Sequence, residues 1–139
     1  MRSNSFANSR RGWKMSDQAI EAEIQAKGKT APRITVDDIE DKIRSEHYFT
    51  ARQGAELEGA VTLWHPAWED PRSIEALGLL TICVLVLRNG FTVTGESACA
   101  SPENFDAEIG RKIARQKAVE KIWMLEGYRL RQKLSEAEA

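Results

Sequence analysis

The chain predicts an α+β fold in which two short N-terminal helices precede an antiparallel β-hairpin, with a place for a third strand, packed against one long C-terminal helix. Three observations carry this. An apolar run from Leu77 to Leu87 leads into Asn89-Gly90, a dipeptide that supplies the positive φ angles of a tight hairpin turn. A second strand-like run, Phe91 to Ala98, follows the turn, and from Ser101 to Leu134 apolar residues return at helical spacing. With 139 residues, 42% hydrophobic and 29% charged, the chain has material for one ordinary core. The expected organisation is a leader over 1–15, one domain over 16–134 and a short disordered tail over 135–139.

The opening residues, MRSNSFANSRRGWK, hold four basic groups and no acidic one. They lack the apolar segment and cleavage site of a signal peptide and read as disordered. Arg10, Arg11 and Gly12 allow purine-rich codons resembling a ribosome-binding site just ahead of Met15, which makes Met15 a candidate natural start. An intact mass that includes Phe6 and Trp13 in natively expressed protein would end that idea.

Ser16 as N-cap, Ile20 and Ile24 four apart, and Gly28 after them predict a first helix ending near Lys27. Lys29 to Arg33, with Pro32, reads as a linker. Thr35 and Asp38 resemble a capping box, and Val36, Ile39 and Ile43 extend a second helix to about His47. Residues 50–73 carry Gly54, Gly59, Pro66 and Pro71 and read as loop, with one short strand from Ala60 to Trp64.

A two-residue turn at Asn89-Gly90 sets Arg88 opposite Phe91 and Val86 opposite Val93. Ile82, Val84, Val86, Phe91 and Val93 then form the face to be buried. Because the first strand is apolar on both sides, it behaves as an interior strand, which calls for Ala60–Trp64 or a second subunit beside it. Ser101-Pro102 starts the long helix, whose stripe of Phe105, Ile109, Val119, Trp123, Leu130 and Leu134 is expected to cover the sheet.

Composition excludes several classes. The run Leu77–Leu87 is broken by Gly78 and Thr81 and is too short to span a bilayer, so no membrane role is expected. Two cysteines, Cys83 and Cys99, make neither a disulfide framework nor a zinc motif and suit a reducing cytoplasm. Residues 15–139 hold 16 basic against 21 acidic side chains, unlike a general polyanion binder.

Two constellations suggest binding. At the strand-to-helix junction, Ser97, Ser101, Asn104 and Arg111 surround a helix start suited to a phosphate or carboxylate, such as a nucleotide. Glu103 and Asp106 favour simple capping there. Further on, Arg111, Arg115, Arg129 and Lys133 share a helix face with Ile122. Between Arg111 and Lys133 eight basic residues meet two acidic ones. That ridge suits a partner protein or, less well, nucleic acid. Glu108 and Glu126 offer local ion pairs that would leave it ordinary helix surface. The loop Trp64-His65-Pro66-Ala67-Trp68 suits either a stacking platform or the closure of a core edge.

Catalytic chemistry finds little support. His47 and His65 lack partner spacing, Cys83 belongs to the core, Cys99 fills a turn, and Glu96 with Glu103 is a pair any surface offers. No phosphate loop, nucleophile elbow or metal motif is present in the sequence, so neither catalytic residues nor cofactors are expected.

The block LLTICVLVLRNGFTVTGESACASPENFDAEIGRKIARQKAVEKIW, with LEGYRL after it and RITVDDIEDKIRSEHYF upstream, resembles the gene-49/gene-66 family of small tailed-phage and prophage proteins. The resemblance spans roughly Arg33 to Leu130. It implies a phage or prophage origin and a bacterial cytoplasmic setting, and assigns no catalytic residue. The family often has proline after Trp123, where this chain has Met124, so the helix is expected to run on. The resulting expectation is a non-enzymatic accessory protein that binds a host or phage macromolecule, with self-association through the hairpin as a further expectation.

Overall fold

The computed structural model describes residues 15–29, 31–63 and 70–138. In chain order these form α1 (Met15–Ala26), α2 (Val36–Asp41), β1 (Ile43–Thr50), α3 (Ala51–Ala55), α4 (Pro71–Gly78), β2 (Leu80–Leu87), β3 (Thr92–Ala98), a 3-10 turn (Pro102–Asn104) and α5 (Ala107–Glu138). The strands make one antiparallel sheet of order β1-β2-β3, and α5 lies across β3 and β2. Two N-terminal helices, a hairpin extended to three strands and one long covering helix are therefore the architecture, as the residue pattern predicts.

The N-terminal helices end where their punctuation requires. Gly28, at φ +66°, turns the chain after α1. The Thr35 hydroxyl accepts from the Asp38 amide at 3.1 Å, while the Asp38 carboxylate accepts from the Thr35 amide at 2.9 Å, which completes the predicted capping box. Bidentate donation from Arg33 to the Glu21 carboxylate ties the linker back to α1.

The second helix is shorter than expected, and its last residues are a strand. Ile43 fits the helical spacing of Val36 and Ile39, yet Ile43–Thr50 pairs along its whole length with β2 and gives that strand its second neighbour. Cross-strand burial outweighs a local period of only three apolar residues. The chain turns sharply at Lys42, whose carbonyl accepts from the Arg88 amide at 2.9 Å. The expected third strand at Ala60–Trp64 is displaced accordingly: residues 60–63 are exposed and irregular, and Trp64 lies outside the described residues. The supposed loop over 50–73 instead contains α3, capped by Thr50 and Gln53, and the start of α4, capped by Asp70 ahead of Pro71.

The hairpin register is shifted by one residue from expectation. Leu87, not Arg88, faces Phe91, because its amide donates to the Phe91 carbonyl at 2.8 Å. The loop is three residues, Arg88 to Gly90, with Gly90 at φ +90° and the Asn89 side chain accepting from the Phe91 amide. A single-residue shift turns every β2 side chain over. Cys83, Leu85 and Leu87 lie beneath α5 with Val93, whereas Ile82, Val84 and Val86 occupy the opposite face, half-buried.

The covering helix is also turned from its predicted orientation. Its buried positions run Gly110, Ala114, Arg115, Ala118, Val119, Ile122 and Glu126, leaving Ile109 and Ile113 on the outside. This is a rotation of roughly a third of a turn from the stripe of largest apolar residues. The cause lies in β3. A Cβ on Gly95 would stand 2.0 Å from the Ala114 carbonyl oxygen and 2.4 Å from the Ala118 nitrogen, so helix backbone rests directly on strand backbone. Only a track of small side chains permits that approach. Ser101-Pro102 begins the 3-10 turn rather than the helix, and α5 starts at Ala107 with the Asp106 side chain accepting from the Ile109 amide at 3.1 Å. It passes Gly127 unbroken and continues through Glu138, beyond the tail boundary expected at 134.

Candidate functional site

The basic residues expected to form a ridge are not presented together. Arg115 is 3% exposed and Ile122 fully buried, both in the contact between α5 and the sheet. Arg115 donates through Nε to Glu46 of β1 at 2.8 Å and through Nη2 to Glu40 of α2 at 2.9 Å. The Tyr48 hydroxyl donates to the same Glu46 carboxylate at 2.8 Å. Burial, then the Glu46 carboxylate, push the Tyr48 hydroxyl far above its ordinary range. This network joins α2, β1 and α5 in the interior, where a cation is retained only when hydrogen-bonded and paired. Arg129 is exposed and bound to Glu126 at 2.9 Å, Lys133 is exposed, and Arg111 is half-buried.

The expected anion site is likewise dispersed. Ser97 lies on the covered face of β3, paired with Thr81. Ser101 makes no capping hydrogen bond with its side chain, Asn104 is exposed in the 3-10 turn, and Arg111 stands one turn inside α5. Asp106 occupies the amide end of that helix, where a ligand anion would sit. Buried Cys83 has its thiol pushed up to about 11 by burial, in keeping with a core role, while Cys99 lines a groove of about 600 Å³ between α4 and the end of β3. The tryptophan loop from Trp64 to Trp68 lies outside the described residues.

A different surface emerges at the other end of the helix and sheet contact. Phe91, Val93, Lys121, Met124, Leu125 and Tyr128 line an open groove of about 500 Å³ between β3 and α5. Met124 is 74% exposed and Tyr128 75%, with Phe91 and Leu125 also in contact with solvent. Among the described residues Lys121 is the one charged group lining the groove, and its ammonium reaches the Thr94 hydroxyl at 3.4 Å. Sequence reasoning misses this surface because its members come from β3 with the residue before it and from two turns of α5, and the residue pattern places Phe91 on the buried face. Leu125 and Tyr128 belong to the LEGYRL segment that carries part of the family resemblance.

Among the described residues, no group of three or more His, Cys, Asp or Glu side chains is arranged to hold a metal, and no helix is long and apolar enough to cross a membrane.

The fold defines a small α+β protein whose three-stranded sheet is covered on one face by one long helix. A family model described as "Phage protein (N4 Gp49/phage Sf6 gene 66) family" matches residues 34–134, and the chain belongs to that family of small phage and prophage proteins. No curated protein and no solved structure matches the chain.

Proposed function

We propose that the protein is a non-enzymatic phage or prophage accessory factor that binds a host or phage protein in the bacterial cytoplasm, using the groove between β3 and α5. The observation that carries this reading is the contiguous apolar surface of Phe91, Met124, Leu125 and Tyr128. Isolated exposed apolar residues are routine, but four gathered around one concavity favour a contact surface. The position of Arg115 and Ile122 moves the proposed contact away from the basic helix face and onto this flank. Family membership supports the phage setting.

Affinity capture from phage-infected and uninfected host cells tests the reading by comparing wild type with the double variant Met124→Glu, Tyr128→Glu. Both positions are solvent-exposed, so the variant is expected to keep its fold, checked by circular dichroism, while losing the proteins that wild type retains. Equal capture by both proteins would remove the groove from the function.

A further inference from the structure

Beyond the groove walls lies the free hydrogen-bonding edge of β3, with no strand beside it among the described residues. Antiparallel pairing alternates along a strand, so residues bonded to one neighbour alternate with residues whose backbone groups point away. Two bonds fix the phase: Leu87 donates to the Phe91 carbonyl, and the Cys99 amide donates to the Leu79 carbonyl at 3.1 Å. Odd-numbered positions of β3 therefore serve β2, and Thr92, Thr94 and Glu96 direct their amides and carbonyls outward. The groove and this edge are continuous, since Thr92, Val93 and Thr94 belong to both.

We propose that this edge receives an extended peptide segment of a partner protein, added as a fourth strand, with apolar side chains in the Phe91–Tyr128 groove and an acidic side chain against Lys121. The proposal rests on the binding reading above and specifies its partner. Backbone pairing supplies affinity that depends little on sequence, and the pockets beside the edge supply selectivity. Lys121 sets the sign. A lysine reaching over a strand edge discourages indiscriminate pairing, and a carboxylate on the incoming strand relieves that obstruction.

The same geometry disfavours two other occupants. In an antiparallel pairing of two copies through β3, both α5 helices would lie on one face of the joined sheet. Each rests on its own β3 at Gly95. Strands are spaced about 4.8 Å apart, whereas helices with side chains need about 10 Å, so the two helices would collide. The chain's own residues 1–14 carry four basic groups and no acidic one, which sets them against Lys121.

The test uses the full chain and fluorescein-labelled ten-residue peptides of alternating valine and threonine, with either glutamate or lysine at the centre, read by fluorescence anisotropy. The glutamate peptide is expected to bind wild type about tenfold more tightly than the lysine peptide, with the preference reversed in Lys121→Glu. Thr94→Pro, which removes one outward amide without touching the ladder to β2, is expected to abolish binding of both. Denaturation curves confirm that the variants fold. Failure of both peptides to bind, indifference to the central charge, or full binding by a folded Thr94→Pro protein would overturn the proposal. Sedimentation that shows dimers lost on Thr94→Pro would also overturn it, in favour of a second copy. If the Met124 and Tyr128 variant still loses its captured proteins while the peptides fail, strand addition falls and the groove reading stands.

Discussion

The contact between α5 and β3 is closed at one end and open at the other. At Gly95 helix and strand backbones touch, because glycine faces Ala114 and Ala118. Two turns further along the same helix, bulky Leu125 and Tyr128 stand against Phe91 and hold a groove of about 500 Å³. Side-chain volume along one interface thus decides between a sealed core and a receptive surface. The closed end sets the helix orientation and the open end inherits it, so the position of the groove depends on residues some distance from it.

The largest expected effect comes from filling the closed end. Gly95→Ala would place a methyl group inside helix backbone on two sides, and backbone cannot turn aside as a side chain does. The loss should exceed the about 3 kcal/mol usual for overpacking, leaving no cooperative transition in chemical denaturation. A stable Gly95→Ala protein would show that the helix does not rest on this strand.

Next comes the buried network where α5 meets β1 and α2. Arg115→Met should cost about 3–5 kcal/mol by leaving the Glu40 and Glu46 carboxylates without the guanidinium that both contact. Combining it with Glu40→Gln and Glu46→Gln should recover part of that loss, whereas Arg115 acting only as helix surface would make all of these changes nearly neutral.

Gly127 provides the converse of Gly95. A Cβ there meets nothing within 4 Å, and the residue lies inside a continuous helix. Gly127→Ala should therefore stabilise the protein by about 1 kcal/mol, seen as a higher denaturation midpoint. Destabilisation would argue that the helix is not continuous there.

The smallest effect lies furthest from the contact. Arg33, then Gln25, hold the Glu21 carboxyl down to about 2 from its ordinary 4.5. A lowered folded value means that the bond supports the fold above the ordinary carboxylate range and is lost as pH falls toward 2. Carboxyl NMR titration should find this low midpoint in wild type and one raised toward the ordinary range in Arg33→Gln, where Gln25 still donates to Glu21; identical midpoints would show that the pair does not form in solution.

The hairpin, the small-protein α+β class and the Thr35 capping box were legible because each is written in neighbouring residues. What failed depended on distance. Ile43–Thr50 becomes a strand through pairing with β2, about forty residues away, and its own pattern mixes Ile43, Tyr48 and Phe49 with charged positions. The hairpin register hung on whether Asn89-Gly90 was the whole turn or the end of a three-residue loop. With β2 apolar on both sides, composition gave no check. The helix face was misjudged because large apolar residues mark burial only where a neighbour leaves room for them, and Gly95 selected Ala114 and Ala118 instead, with Gly110 set against Thr81. The partners of Arg115 lie 69 and 75 residues away, out of reach of any local charge pairing.

Because α5 continues from Ala107 to Glu138 as one piece, its twelve residues after Glu126 span about 18 Å, and Arg129, Leu130 and Lys133 among them line a pocket with Ile34, Asp38 and Lys42. A probe held near Glu138 on this rigid helix reports the tumbling of the whole particle. Labels meant to sense occupancy of the β3 edge belong near Tyr128, about two to three turns earlier on the same helix.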